Sequence, residues 1–178
     1  MQPHTSGMEA QDTVTMNTHD SITIMLNTAR LASERYLSDL TDQDLLVRPV
    51  PGANHGAWQL GHLICSEIAM TSAADPSVKL SLPTDFVDCH SKEAAALNEL
   101  SRYYPKSMYL TLMRELRGLT LVALSKLTES DLTRAGPAAM RDYAPTVGSL
   151  FVMIGCHELM HSGQLAVLRR LLNKPIVI

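Results

Sequence analysis

TVGSLFVMIGCHELMHSGQLAVLRRLLN, residues Thr146–Asn173, is the stretch on which the fold turns. Val147, Leu150, Phe151, Ile154, His157, His161, Gln164, Leu168 and Leu171 recur mostly at steps of three and four. That spacing lays them along one face of an α-helix, which the periodicity predicts from near Thr146 to about Asn173. A helix with one apolar stripe is stable only if other elements cover the stripe. Two histidines stand on this stripe rather than on the polar face.

Working outward, three further stripes of similar length appear. Ile22, Met25, Leu26, Ala29, Ala32, Tyr36, Leu37 and Leu40 predict a first helix, starting near Thr18 to Asp20 and ending before Thr41. A turn follows through Arg48-Pro-Val-Pro-Gly52. Asn54 is then the expected N-cap of a second helix, which runs to about Ala74 and stops at Asp75-Pro76. Tyr109, Leu112, Met113, Leu116, Leu119, Ala123 and Leu127 predict a third helix over about Ser107–Leu127. A loop is expected after it, from Thr128 through Gly136-Pro137 and Pro145. Residues 76–106 carry Pro76, Pro83 and Pro105 and are too long for a helix–helix turn. They read as a crossover or cover with a short helix over Glu93–Tyr103. The expected fold is all-α, a four-helix bundle with a long crossover segment between its second and third helices. No alternating strand pattern is visible.

Composition agrees. Hydrophobic residues make up 46% of the 178 and charged residues 19%, enough for one domain with a real core over 18–178. Residues 1–17 are expected to be poorly ordered. A net charge of −3 leaves no basic surplus for phosphates, so no nucleic-acid partner is expected. Cys65, Cys89 and Cys156 are odd in number and lack C-x-x-C spacing, which argues against a disulfide framework and for a reducing cytoplasm. No signal peptide and no membrane-length apolar run is visible, so no membrane partner is expected. The apolar excess makes a homodimer an expectation.

His157-Glu-Leu-Met-His161 brings two imidazoles to one side of a helix, where both can reach one divalent ion. Two readings stand. The histidines ligate a metal, or they are core residues hydrogen-bonded to carbonyls or to Glu and Tyr side chains. The string also matches the zinc-protease pattern H-E-x-x-H. That pattern needs a third ligand downstream, and Ser162–Ile178 contains no Glu, Asp, His or Cys, so the protease reading fails. Glu158 points about 100° away from His157, which suits a solvated or interhelical ion pair better than a general base.

His62 lies in the second helix on a stripe with Trp58, Cys65 and Ala69. If the second and fourth helices are neighbours, three imidazoles can converge and leave a coordination position open, as in catalytic zinc sites. Gly61 and Gly163 flank these histidines and would permit close helix approach, or serve packing alone. Gln164, two turns beyond His157, is a candidate to hydrogen-bond a ligand or bound water. Tyr143 and Arg141, before the fourth helix, are candidates to overhang the site and hold an anion. Trp58 is a candidate pocket wall, although a lone Trp in a helix is more often simple core, and Cys65 and Cys156 read as small core residues. His55 is expected to be exposed beside the N-cap, with His4, His19 and His90 at the surface.

Asn54-His-Gly-Ala-Trp-Gln-Leu-Gly-His62-Leu, followed by His157-x-x-x-His161-x-Gly163-Gln164, resembles the DinB/YfiT-like superfamily of four-helix-bundle proteins. The likeness extends from about Asp20 to Asn173. It implies that His62, His157 and His161 bind a divalent metal, zinc or nickel. The family name concerns DNA-damage induction and implies no DNA chemistry. Relatives include metal-dependent thiol transferases and isomerases that use low-molecular-weight thiols. The resemblance therefore implies a metal-dependent enzyme that activates a thiol or water for transfer or hydrolysis on a small-molecule substrate. A non-catalytic metal- or ligand-binding accessory protein and a helical dimerisation module are the competing readings.

Overall fold

The computed structural model describes residues 15–97 and 100–178. The expectations for His4 and for most of the 1–17 segment lie outside them. Six α-helices are found among the described residues: α1 (Thr18–Leu37), α2 (Gly56–Ala74), α3 (Phe86–Cys89), α4 (Lys106–Ser125), α5 (Glu129–Thr133) and α6 (Val147–Leu171). There is no β-strand among the described residues, only an isolated antiparallel bridge between Ala135 and Thr146. The all-α expectation holds. No helix among the described residues is long and apolar enough to cross a membrane.

The long helices start where side chains can satisfy their free amides. Asn17 accepts from the Asp20 amide while Asp20 reaches back to the Asn17 amide. Thr146 and Ser149 form the same reciprocal cap on α6. At α2 the cap is His55 rather than Asn54. The His55 Nδ1 accepts from the Trp58 amide at 3.1 Å, and the Asn54 carbonyl instead receives the Gln59 side-chain amide at 2.8 Å. The loop expected after Thr128 begins with α5, because Thr128 and Asp131 cap each other.

The packed neighbours are α1–α6, α6–α2, α2–α4 and α4–α1, which closes a four-helix ring. The core has two apolar halves. One gathers Leu37, Leu60, Ile64, Tyr109, Leu116 and Leu165, and the other Ile22, Leu26, Met70, Leu124, Leu150 and Phe151. Each long helix passes from one half to the other, and the order gives its direction. α1 and α6 run one way, whereas α2 and α4 run the opposite way. α2 and α4 are therefore parallel neighbours, and residues 75–105 must return the chain along the whole bundle. This accounts for the length of that segment and bears out its reading as a crossover. It contains α3 and 3₁₀ turns at Ala94–Ala96 and Leu100–Arg102, rather than the single helix expected over Glu93–Tyr103. Arg48 ties the crossover down by donating to the carbonyls of Ala95 (2.8 Å) and Leu97 (2.9 Å).

Between the apolar halves lies a buried ionic layer to which all four long helices contribute. Arg117 donates from Nε and Nη2 to the two Glu67 oxygens at 3.0 and 3.1 Å, and from Nη2 to Glu158 Oε2 at 2.7 Å. Its Nη1 donates to the Leu26 carbonyl. Thr120 donates to Glu67 Oε1 at 2.8 Å, and Arg30 stands 3.4 Å from Glu158 Oε1 while donating to the Met113 carbonyl. Glu158 is thus an interhelical ion-pair residue, one of the two roles expected of it. Two guanidinium groups face two carboxylates, so the layer is neutral as a whole.

Candidate metal centre

His62 on α2 and His157 and His161 on α6 converge where these helices pack. One ring nitrogen from each lies within 4.8 Å of those of the other two. The helical step of four places His157 and His161 on one side of α6, with their Nε2 atoms 3.2 Å apart. Two nitrogens at about 2.0–2.1 Å from one tetrahedral ion would sit roughly 3.3 Å apart, so this pair is already at ligand spacing. From 4.8 Å to that spacing is at most about 1.5 Å, within reach of an imidazole side-chain rotation.

Surrounding groups hold the rings in place. Trp58 stacks on His62 with ring centroids 4.8 Å apart and planes 8° from parallel, and the indole N–H donates to the Ser91 carbonyl at 2.9 Å. Trp58 is thus a buried core residue whose ring also backs His62. Gln59 sets the tautomer of His161. Its amide group donates to the Asn54 carbonyl, which leaves Oε1 facing His161 Nδ1 at 3.1 Å. An oxygen there can only accept, so Nδ1 carries the proton and the Nε2 lone pair is free.

Burial holds His157 and His161 at about 4, with the neighbouring imidazoles adding to the effect. His62 is lowered by burial and then by the Lys92 charge. All three are neutral at physiological pH, the form that donates to a metal. Burial also pushes the Cys65 thiol up to about 11, which fits its reading as a small core residue.

Several expected roles fall differently. Gln164 is exposed on α6, and Gln59 provides the side-chain amide beside a candidate ligand. Gly163 faces open space, whereas Gly61 is overlaid by the His90 ring so closely that a Cβ there would overlap it. Arg141 turns back to the Gly136 carbonyl at 3.1 Å and is not among the residues lining the cavity beside His157. His55 and His90, expected at the surface, are buried at 0% and 2% exposure. His90 Nδ1 donates to the Phe86 carbonyl at 2.6 Å, and its Nε2 accepts from the Tyr109 hydroxyl at 2.9 Å. His55 packs edge-on against Tyr103 with centroids 4.3 Å apart. His19 is partly buried, bonded to the Leu127 carbonyl at 2.8 Å. Two signals in the sequence pointed towards these histidines. His55 stands three residues before the Trp58 amide it caps, and His90 follows a Phe four residues back.

A cavity of about 340 Å³ opens beside His157. Ser66, Ala69 and Met70 of α2 line it, with Met153 and Met160 of α6 and Met140 and Tyr143 from the loop before α6. Tyr143 thus does border the histidine site.

The sequence profile described as the DinB superfamily matches residues 25–165, which include all three histidines. A search of curated proteins returns no match. Among solved structures, the chain is similar to a conserved protein from Enterococcus faecalis, with a TM-score of 0.69 and 22% identity over 88% of this chain and 98% of that one. At that identity the likeness speaks for the fold alone. The profile match spans well over half of the sequence, and the chain belongs to the DinB superfamily.

Proposed function

We propose that this chain is a metal-dependent enzyme in which His62, His157 and His161 hold a divalent ion, zinc or nickel, that activates a thiol or water for transfer or hydrolysis on a small molecule. The observation that carries this reading is the convergence of three imidazoles, one of which, that of His157, lines a cavity. One buried and two partly buried rings with so few protein hydrogen-bond partners at their facing nitrogens favour a metal over a purely structural core. His62, His157 and His161 would hold the ion, which would supply the lowered pKa that turns a thiol or water into a nucleophile near neutrality. The chain's own contribution is orientation. Gln59 fixes the His161 tautomer, Trp58 fixes the His62 ring plane, and the apolar surroundings keep all three imidazoles unprotonated.

The test is an assay of metal-loaded protein with a panel of low-molecular-weight thiols and electrophilic or hydrolysable small molecules, beside His161→Ala. The reading expects turnover that needs metal and disappears in the variant. Equal turnover in metal-free His161→Ala protein would overturn it.

A further inference from the structure

We propose that the cavity beside His157 binds an uncharged, ring-containing apolar group of the substrate, with the reacting end directed towards the histidines. The catalytic meaning of this site rests on the metal-dependent reading above, whereas the binding site itself does not.

The lining carries the argument. Among the described residues, no Lys, Arg, Asp or Glu borders the cavity. A charged group entering here would lose water without gaining a counter-ion. Four of the chain's ten methionines, Met70, Met140, Met153 and Met160, meet around this one space. Methionine side chains are flexible and polarizable, and their sulfurs make favourable contacts with aromatic rings, so such a lining adapts to flat apolar guests of varied outline. Met160 and Tyr143 remain 61% and 50% exposed at its edge. Large apolar side chains left open to water around a concave site mark a surface that a ligand covers.

Size narrows the class. An apolar cavity of about 150 Å³ takes up one benzene ring. At about 340 Å³ this one has room for a fused two-ring group or its equivalent. The remaining polar atoms, the Ser66 and Tyr143 hydroxyls and the His157 ring, are too few for a sugar or a peptide. They suffice to orient a single polar substituent.

The experiment is NMR of protein carrying ¹³C-methyl methionine, titrated with 2-naphthalenemethanol and, separately, with 2-naphthalenesulfonate as a charged analogue of similar shape. Both titrations are run on metal-loaded and metal-free protein. The expected result is saturable shifts at Met70, Met140, Met153 and Met160, with the sulfonate binding at least about tenfold more weakly to metal-free protein. Ala69→Phe, which fills the cavity from an exposed position, should abolish the shifts without altering metal content. Shifts spread over the other methionines, no saturation at millimolar probe, or equal binding of the sulfonate to metal-free protein would overturn the proposal. Probe binding in a protein that takes up no metal would leave this site standing and remove the metal-dependent reading instead.

Discussion

Replacing Arg117 by Met tests how much of the fold depends on its buried ionic layer. The guanidinium makes three hydrogen bonds to carboxylates and one to a carbonyl, and it is only 4% exposed. Its removal leaves Glu67 with the Thr120 hydroxyl at 2.8 Å and Glu158 with Arg30 at 3.4 Å. Taking one partner from a buried pair costs about 3–5 kcal/mol, because a desolvated charge is left uncompensated. For a chain of this size each kcal/mol lowers Tm by roughly 2–4 °C, so the expected fall is about 6–20 °C. Adding Glu67→Gln to Arg117→Met should recover part of the loss, since a neutral amide needs no counter-charge. Calorimetry or urea unfolding of the four proteins of this double-mutant cycle measures the coupling. A fall in Tm under 2 °C for Arg117→Met, or strictly additive effects of the two changes, would refute the reasoning.

Gly61→Ala should destabilise the protein by about 3 kcal/mol or more, the upper end for overpacking, because His90 is held by hydrogen bonds on both ring nitrogens and cannot swing aside. Urea unfolding reads this, and a change under 1 kcal/mol would count against it. Gln59→Leu should weaken metal binding by roughly 10–100-fold while leaving the helical circular-dichroism signal intact, with titration of a colorimetric chelator as the measurement. Unchanged affinity would show that the His161 tautomer does not depend on Gln59. Acid sensitivity follows from His55 and His90, which burial holds at about 4, with the Arg48 charge adding to the shift at His55. Both bases have folded values below the unfolded value of 6.5, so their stabilising contribution is complete above pH 6.5 and is lost as pH falls from 6.5 towards 4. His90 alone accounts for on the order of 3 kcal/mol across that window. A Tm that stays flat or rises between pH 6.5 and 4.5 in metal-free protein would contradict this.

The four long helices were legible because each writes its buried face in local spacing. Leu150, Phe151 and Ile154, or Leu112, Met113 and Leu116, are buried as their periodicity required. His157 and His161 were legible for the same reason, and His62 because its stripe faces α6. What escaped depended on contacts distant in sequence. Arg117 and Glu67 are charged residues in the middle of apolar helices, and such residues ordinarily point to water. Their burial becomes intelligible only once Glu67, Glu158 and Arg117 meet from three helices. The signal was present in weak form, as opposite charges interrupting apolar stripes at mid-helix. His90 escaped because α3 is too short to show periodicity, and its burial comes from the crossover lying across Gly61. Gln59 stood next to Trp58 in sequence, yet its role depends on the Asn54 carbonyl turning inward at the α2 cap.

The most direct test of the central claim is the metal content of protein purified without a histidine tag, measured by mass spectrometry after incubation with zinc or nickel and removal of the excess. The account predicts about one divalent ion per chain, a lower Tm on chelation, and loss of both the ion and the chelator effect in His157→Ala and His161→Ala. Protein that retains no ion and melts at the same temperature with and without chelator would contradict it.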